Sequence, residues 1–547
     1  MFLALVLTAC SPDSDQATLP LGPQLQRVAE TEVRNDAILD WSTLSDSALW
    51  SYVVKADSLV DVGLKLPGAA YGMTRGRVLL SRDERLSSSQ ALTAIPGVVL
   101  LSSDTLLPIA SVRLKSERAL SLLREVPTVS YVEPGKLVDN PGKPWADESG
   151  CSVSLYDGPG GSTQTASGDV LPWNFLYMEI DQAWTKSNGA GVLVGLVDTG
   201  IDAFQPELTM PGFAGSVSGK YIVSDATTYS AGIGDDDCGH GTRLAGVIAA
   251  PMNGALTAGV AWGASLYSVR VDNDVIMNNV DYTRLGIRRV SDNGARIINI
   301  SLGTYAYYSA IADEIAWHRY NRDRLFFVAA GTSACWDGVT AVSFPGTLST
   351  VTTVTALDQT GAVACNAHYG PAVDFAAFSN QPTTGFGNML SAAGVGGSSN
   401  ATAVLSGISA LILAKHPSYS RSQVLTALIS SAMGGGLRHD IGYGAVNALC
   451  AVDGFCEGWI DGTALIENTG SYTFTAQQRR SAGPFSYQWS TGETTPSITR
   501  QVNITYGMQE YNMELSVVIT DLSDGRSKSV NKFVVVRQPN AQCPTCF

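Results

Sequence analysis

Between residues 170 and about 450, short unbroken apolar runs alternate with helical patterns, and this alternation limits the possible folds more than any other feature of the chain. The runs GVLVGLVD (191–198), SLYSVRV (265–271), RIINISL (296–302) and LFFVAA (325–330) carry apolar residues on both faces of a strand. Such strands need cover above and below, the mark of a parallel sheet. RLAGVIAA (243–250) and TAVLSGISALILAKH (402–416) read as helices and supply the crossovers that parallel neighbours require. The pattern predicts an α/β domain over 170–452, a parallel sheet with flanking helices.

The flanks differ in texture. Residues 11–65 read as a linker and packing segment, polar first and then weakly helical. In 66–138, the strand-like RGRVLLS, IASVRL and VSYVEP alternate with the helix-like SSSQALTAI and SERALSLLREV, which predicts a small α+β unit. Residues 139–169, rich in Gly, Pro, Ser and Asp, read as an exposed connection. Beyond Cys456 the helices stop, and YTFTAQQ, FSYQWS, SITRQVNITY, NMELSVVITD and SVNKFVVV predict an antiparallel β-sandwich over 458–540, with a Cys-containing tail at 541–547. A length of 547 residues suits three or four such units, at roughly 100–200 residues each.

The net charge of -14, with 49 acidic against 35 basic residues, leaves no basic stripe to track phosphates, so nucleic acid is not an expected partner. No run approaches the roughly 20 apolar residues of a membrane span. The first ten residues, MFLALVLTAC, resemble a lipoprotein-type signal ending at Cys10, which predicts export and a lipid anchor on Cys10. Its weak point is the lack of Lys or Arg ahead of the apolar run. Eight further cysteines, Cys151, Cys238, Cys335, Cys365, Cys450, Cys456, Cys543 and Cys546, predict disulfides whose connectivity stays open. Cys450/Cys456 and Cys543/Cys546 are close enough in sequence to close short loops.

Three segments of the α/β region place a reactive side chain beside a structural device. Asp198, in GLVDTG, stands where a buried strand meets a glycine turn, a position suited to holding an imidazole in one tautomer. His240, in GHGTRLAG, opens a helix of small residues. Ser399, in GGSSNAT, lies at the start of a long apolar helix, where backbone N–H groups favour developing negative charge. Taken singly, each has an ordinary reading: a turn, a satisfied polar group, an N-cap.

In this order, with 42 residues from Asp198 to His240 and 159 from His240 to Ser399, the set resembles the subtilisin-like serine proteases over about 170–450. The continuation ALILAKHP (410–417) is similar to the family's own and places the nucleophile at Ser399, not Ser398. The resemblance implies acyl transfer by an Asp198–His240–Ser399 triad on protein or peptide substrates. It also implies a substrate-pairing strand at Ser301, Leu302 and Gly303, and a specificity wall at Ala329, Ala330 and Gly331. The unit ending VPTVSYVEP (126–134) looks like a subtilase propeptide, an inhibitory partner carried by the chain itself. LPWN (171–174) and QAW (182–184) look like the start of a mature subtilase domain. The C-terminal YQWSTG resembles PKD-type or immunoglobulin-like modules.

The chain departs from the family where Ala-Ala-Gly-Asn becomes Ala329-Ala330-Gly331-Thr332. Thr332 with the Ser399 N–H would form the oxyanion site, and its shorter hydroxyl predicts a slowed enzyme. Losing one such donor costs about 10² to 10³ in kcat in subtilisin, a figure taken over from that relative. Arg243, where a second His is frequent, and Ala403, in place of Pro, remove no catalytic group. No cofactor is required. A structural calcium ion is common in the family and Glu207 stands where an Asp ligand often sits, but the loop Pro251-Met252-Asn253-Gly254 departs from the usual one. Asp235-Asp236-Asp237 reads as a solvated loop. The rival reading is a non-catalytic surface protein that keeps the protease fold for binding.

Overall fold

The computed structural model describes residues 38–65, 82–136, 151, 162–209, 217–227, 235–335, 340–385, 392–433, 438–453, 459–461, 465–466, 468–477, 484–504, 511–522 and 527–536. Cys10 and the strand expected in RGRVLLS lie outside them.

The N-terminal elements are α1 (Asp46–Lys55), β1 (Leu59–Leu64), α2 (Arg82–Ala91), β2 (Val98–Ser103), β3 (Ile109–Leu114), α3 (Glu117–Arg124) and β4 (Val129–Pro134). The central domain follows with β5 (Leu193–Asp198), β6 (Ile222–Ala226), α4 (His240–Ala249), β7 (Ser265–Arg270), α5 (Val280–Asp292), β8 (Ile297–Ile300), α6 (Ser309–Asn321), β9 (Leu325–Ala329), β10 (Thr352–Leu357), β11 (Phe375–Phe378) and α7 (Gly397–Lys415). Its sheet has seven strands in the order β11-β10-β9-β8-β5-β7-β6, all parallel as expected.

Alternation within each strand splits the core in two. Val194 and Leu196 of β5 and Phe327 of β9 pack with Leu244 and Ile248 of α4 and Val404, Leu405 and Ile408 of α7. Val197, Ile298, Ile300 and Val328 pack on the opposite face with Ile287 and Val290 of α5 and Ile311 and Ile315 of α6. Gly195 lets α5 lie this close, since a Cβ there would meet Val290 at 2.7 Å. Helix α7 has the length and apolarity of a membrane span, yet 89% of its apolar window is buried in the protein.

The N-terminal unit begins earlier than its expected boundary at residue 66. Strand β1 is internal to its sheet, in the order β2-β3-β1-β4, and α1 packs on the same unit. Buried Asp61 and Gly63 interrupt the apolar alternation of β1 and disguised it as linker. The unit's core, including Leu49, Val53, Val62, Ile109, Val112, Leu120 and Leu123, is continuous with the α5/α6 face of the central sheet.

The stretch read as exposed connection also contains order, since Ser162–Gln164 pairs antiparallel with Val170–Pro172. Disulfides join Cys151 to Cys238 and Cys335 to Cys365. Cys450 is disulfide-bonded as well, while Cys456, Cys543 and Cys546 lie outside the described residues. The C-terminal strands are β12 (Trp459–Asp461), β13 (Leu465–Ile466), β14 (Gly470–Gln477), β15 (Phe485–Trp489), β16 (Ser497–Val502), β17 (Tyr511–Asp521) and β18 (Ser527–Val536). They form two sheets, β12-β14-β16 and β13-β18-β17-β15, antiparallel except for the β13–β18 pair. Trp489, Phe474 and Val517 fill the core of this unit.

Candidate active site

Asp198 ends β5 at the carboxyl edge of the sheet, the edge where open α/β sheets bind ligands. It is fully buried, and its Oδ1 lies 2.7 Å from His240 Nδ1. The Thr199 N–H donates to the same oxygen at 2.9 Å, and the Gly241 N–H donates to Thr199 Oγ1 at 2.9 Å. Strand end and helix start are thereby bound into one turn. Gly241 is needed for the approach, because a Cβ there would stand 2.2 Å from the Gly200 carbonyl oxygen.

His240 is the first residue of α4, and the N-cap, Gly239, has a φ of 83° and no side chain with which to cap. Asp236 takes that role. Its Oδ1 accepts from the N–H groups of Cys238 and Gly239 at 2.9 and 2.8 Å, and its Oδ2 from Thr242 N–H and Oγ1 at 2.9 and 2.6 Å. The acidic run is therefore not a solvated loop throughout: Asp236 is buried, and Asp237 pairs with Arg270. An Asp shortly before a helix start was the available signal. Burial pulls the His240 pKa down, but the Asp198 charge and hydrogen bond, with Asp236 beyond, outweigh it and leave the pKa above its ordinary value.

Ser399 occupies the first turn of α7, whose N-cap is Gly396 and whose first residue, Gly397, has a φ of 68°. Helices α4 and α7 pack against each other, and Ser301 Oγ donates to the Ser399 carbonyl at 3.4 Å. At the third helical position the Ser399 N–H has no intrahelical acceptor and is available to an anion.

Ser398 has a different role. Its Oγ donates to the Gly331 carbonyl at 2.8 Å and accepts the Gly331 N–H at 3.0 Å. Thr332 Oγ1 accepts the Ser398 N–H at 3.1 Å and lies 3.0 Å from Ser398 Oγ. With the single Ser398 hydroxyl proton on Gly331, the Thr332 hydroxyl proton goes to Ser398. The donor expected for an oxyanion is thus engaged within the wall, because a threonine side chain is short enough to turn back onto its neighbour.

The expected binding segments also lie at the carboxyl edge: Ser301, Leu302 and Gly303 follow β8, and Ala329, Ala330 and Gly331 follow or end β9. Gly303 is less free than expected. Its N–H donates to the Val275 carbonyl at 3.1 Å and its own carbonyl accepts from Met277 N–H at 3.0 Å. On the same 275–279 segment, Lys136, just past β4, makes an antiparallel bridge with Asn279.

Calcium takes six to eight oxygen ligands, and the candidate ligand Glu207 is buried beside Asp169 and Asn253. Asp169 Oδ1 accepts from Asn253 and Gly254 N–H at 2.8 and 2.7 Å, and its Oδ2 from Ser167 and Thr165 hydroxyls at 2.8 and 3.2 Å. Asn253 Oδ1 accepts Ala255 N–H at 3.0 Å. The Asn253 and Gly254 N–H groups thus converge on Asp169. Among the described residues no cluster of three or more His, Cys, Asp or Glu side chains could hold a metal ion.

The class so defined is an α/β protein with a buried carboxylate–imidazole pair beside a serine-bearing helix start. Residues 189–444 match the subtilase family, Peptidase_S8. The thermostable alkaline protease of Halalkalibacterium halodurans is 32% identical over 281 residues, 51% of this chain and 73% of that one. The M-protease of Shouchella clausii is 29% identical over 356 residues, covering 65% and 82%. Subtilisin Savinase of Lederbergia lenta is 31% identical over 283 residues, covering 51% and 98%. The chain belongs to the subtilase family.

Proposed function

We propose that the chain is an exported serine endopeptidase made as a zymogen. The observation that carries this reading is the buried 2.7 Å Asp198–His240 pair on α4, the helix that packs against the Ser399 helix. In the neutral ring Nδ1–H donates to Asp198, so Nε2 is bare and can take the Ser399 proton as the hydroxyl attacks a peptide carbonyl. His240 then gives that proton to the leaving amine, and water hydrolyses the acyl-enzyme by the same path. The oxyanion relies on the Ser399 N–H at the head of α7. With Thr332 bound to Ser398, the second donor is missing and the enzyme is slow.

Substrate adds as an extended strand along 275–279, the edge that Lys136 already occupies. The chain leaving the N-terminal unit therefore lies on the path a substrate would take, which supports an inhibitory propeptide. The disulfides support an oxidising, exported setting, and a lipid anchor at Cys10 completes the reading.

The test is expression of the chain and of Ser399→Ala, followed by mass spectrometry and reaction with a fluorophosphonate. The parent is expected to lose its N-terminal unit and to label at Ser399, and the variant to do neither. A parent that stays whole and does not label supports the binding-protein rival.

A further inference from the structure

Gly331 is packed against a buried histidine that the proposed reaction does not use. His368 is 1% exposed, and its ring fills the space that a side chain at residue 331 would take: a Cβ on Gly331 would stand 2.3 Å from His368 Nδ1. Gly331 has a φ of 122°, which only glycine adopts readily. The ring is fixed at both nitrogens, with Nε2 2.9 Å from Ser333 Oγ and Nδ1 3.3 Å from the Tyr305 hydroxyl. Tyr305 also stacks on it, the ring centroids 6.3 Å apart. The backbone adds a short antiparallel ladder. His368 N–H donates to the Gly331 carbonyl at 3.0 Å, Ser333 N–H donates to the Asn366 carbonyl at 3.0 Å, and Thr332 makes an antiparallel bridge with Ala367. The Cys335–Cys365 disulfide ties the same two segments together. Gly331, so placed, holds Ser398 Oγ through both its carbonyl and its N–H.

We propose that His368 is a positioning residue for the nucleophile. By filling the space beside Gly331 it fixes the residue that holds Ser398, and through Ser398 the first turn of α7 with Ser399. A misplacement of about 1 Å at a reacting atom can cost about 10²-fold in rate, so a support two links away is felt in the chemistry. The kinetic consequence rests on the peptidase reading above, and the structural one on geometry alone.

The experiment compares the full chain with His368→Ala and His368→Gln by steady-state kinetics on a peptide substrate, with active sites counted by a fluorophosphonate. His368→Ala is expected to lower kcat by about tenfold to a hundredfold with KM changed by less than about twofold. His368→Gln, whose amide can reach Ser333, should recover part of the loss. A merely structural residue would lower the Tm and leave kcat per labelled site unchanged. That result overturns the proposal, as does a KM that rises as far as kcat falls. Should His368→Ala not accumulate as folded protein, Ser333→Ala, which removes the hydroxyl at Nε2, is expected to lower kcat in the same direction, and a kcat equal to the parent's overturns the proposal. If the parent itself neither labels nor cleaves, the peptidase reading fails, and crystal structures decide the positioning role. Loss of the Gly331 bonds to Ser398 in His368→Ala supports it, and a Gly331 that keeps its φ and both bonds overturns it.

Discussion

Thr332 and Ser398 show how one substitution is absorbed by a neighbour. An amide at 332 would reach past Ser398, whereas the threonine hydroxyl stops at it, bonded to the Ser398 N–H and Oγ. Thr332→Asn is therefore expected to raise kcat by about tenfold or more with KM little changed, because the restored donor acts in the transition state. Steady-state kinetics on a peptide substrate check this. In the proposed mechanism His240 sets the acid limb of the pH profile, since only the neutral imidazole can accept the Ser399 proton, and its pKa lies above the ordinary value. Activity is expected to rise with pH through that raised value, and a limb at or below the ordinary histidine pKa contradicts it. The Asp198–His240 pair was legible because each member carries a local signature, a strand end and a helix start. The engagement of the Thr332 hydroxyl with Ser398 was not, since it depends on where Ser398 points, and that is fixed by Gly331 from 67 residues away.

Helix α4 is positioned by a side chain the sequence pattern passed over. Asp236 holds the first turn of α4 through four donors, and its negative charge helps to raise the His240 pKa. Asp236→Asn keeps the shape but turns an NH2 group toward donors that need an acceptor. The expected cost is about 1–3 kcal/mol, a Tm fall of a few degrees. The acid limb of activity should also move to lower pH, because an anion favouring the imidazolium has gone. A purely structural cap would lower the Tm and leave the limb in place. Elements were legible in proportion to their apolar regularity: β5, β7, β8 and β9 announce themselves, whereas β1 carries Asp61 at its centre. That carboxyl is accommodated by Ser111 from β3, which donates at 2.8 Å, and by the charge of Arg284 from α5. Neither partner is visible from the local sequence.

At the scale of the whole molecule, the N-terminal unit is held to the central domain by an apolar core and by buried charge. Asp104 pairs with Arg284 and Arg288, and Arg288 binds Glu314 of α6 through Nε and Nη2 at 2.8 and 2.6 Å. Glu133 of β4 accepts the N–H groups of Ser309 and Ala310 at 2.9 Å each, capping α6 from the other unit. Burial outweighs these bonds and raises the Glu133 pKa to about 8, with Asp61 also raised by burial and by Asp281. A carboxyl whose folded pKa is raised contributes stability in full below its unfolded pKa of about 4.3, and loses it as pH climbs through the folded value. The hold of the N-terminal unit should therefore weaken between about pH 4 and pH 8. In the Ser399→Ala chain, the Tm of the transition that releases this unit is expected to fall across that range, and Glu133→Gln, which cannot titrate, should flatten the slope. If the slope is the same in both proteins, Glu133 does not govern it.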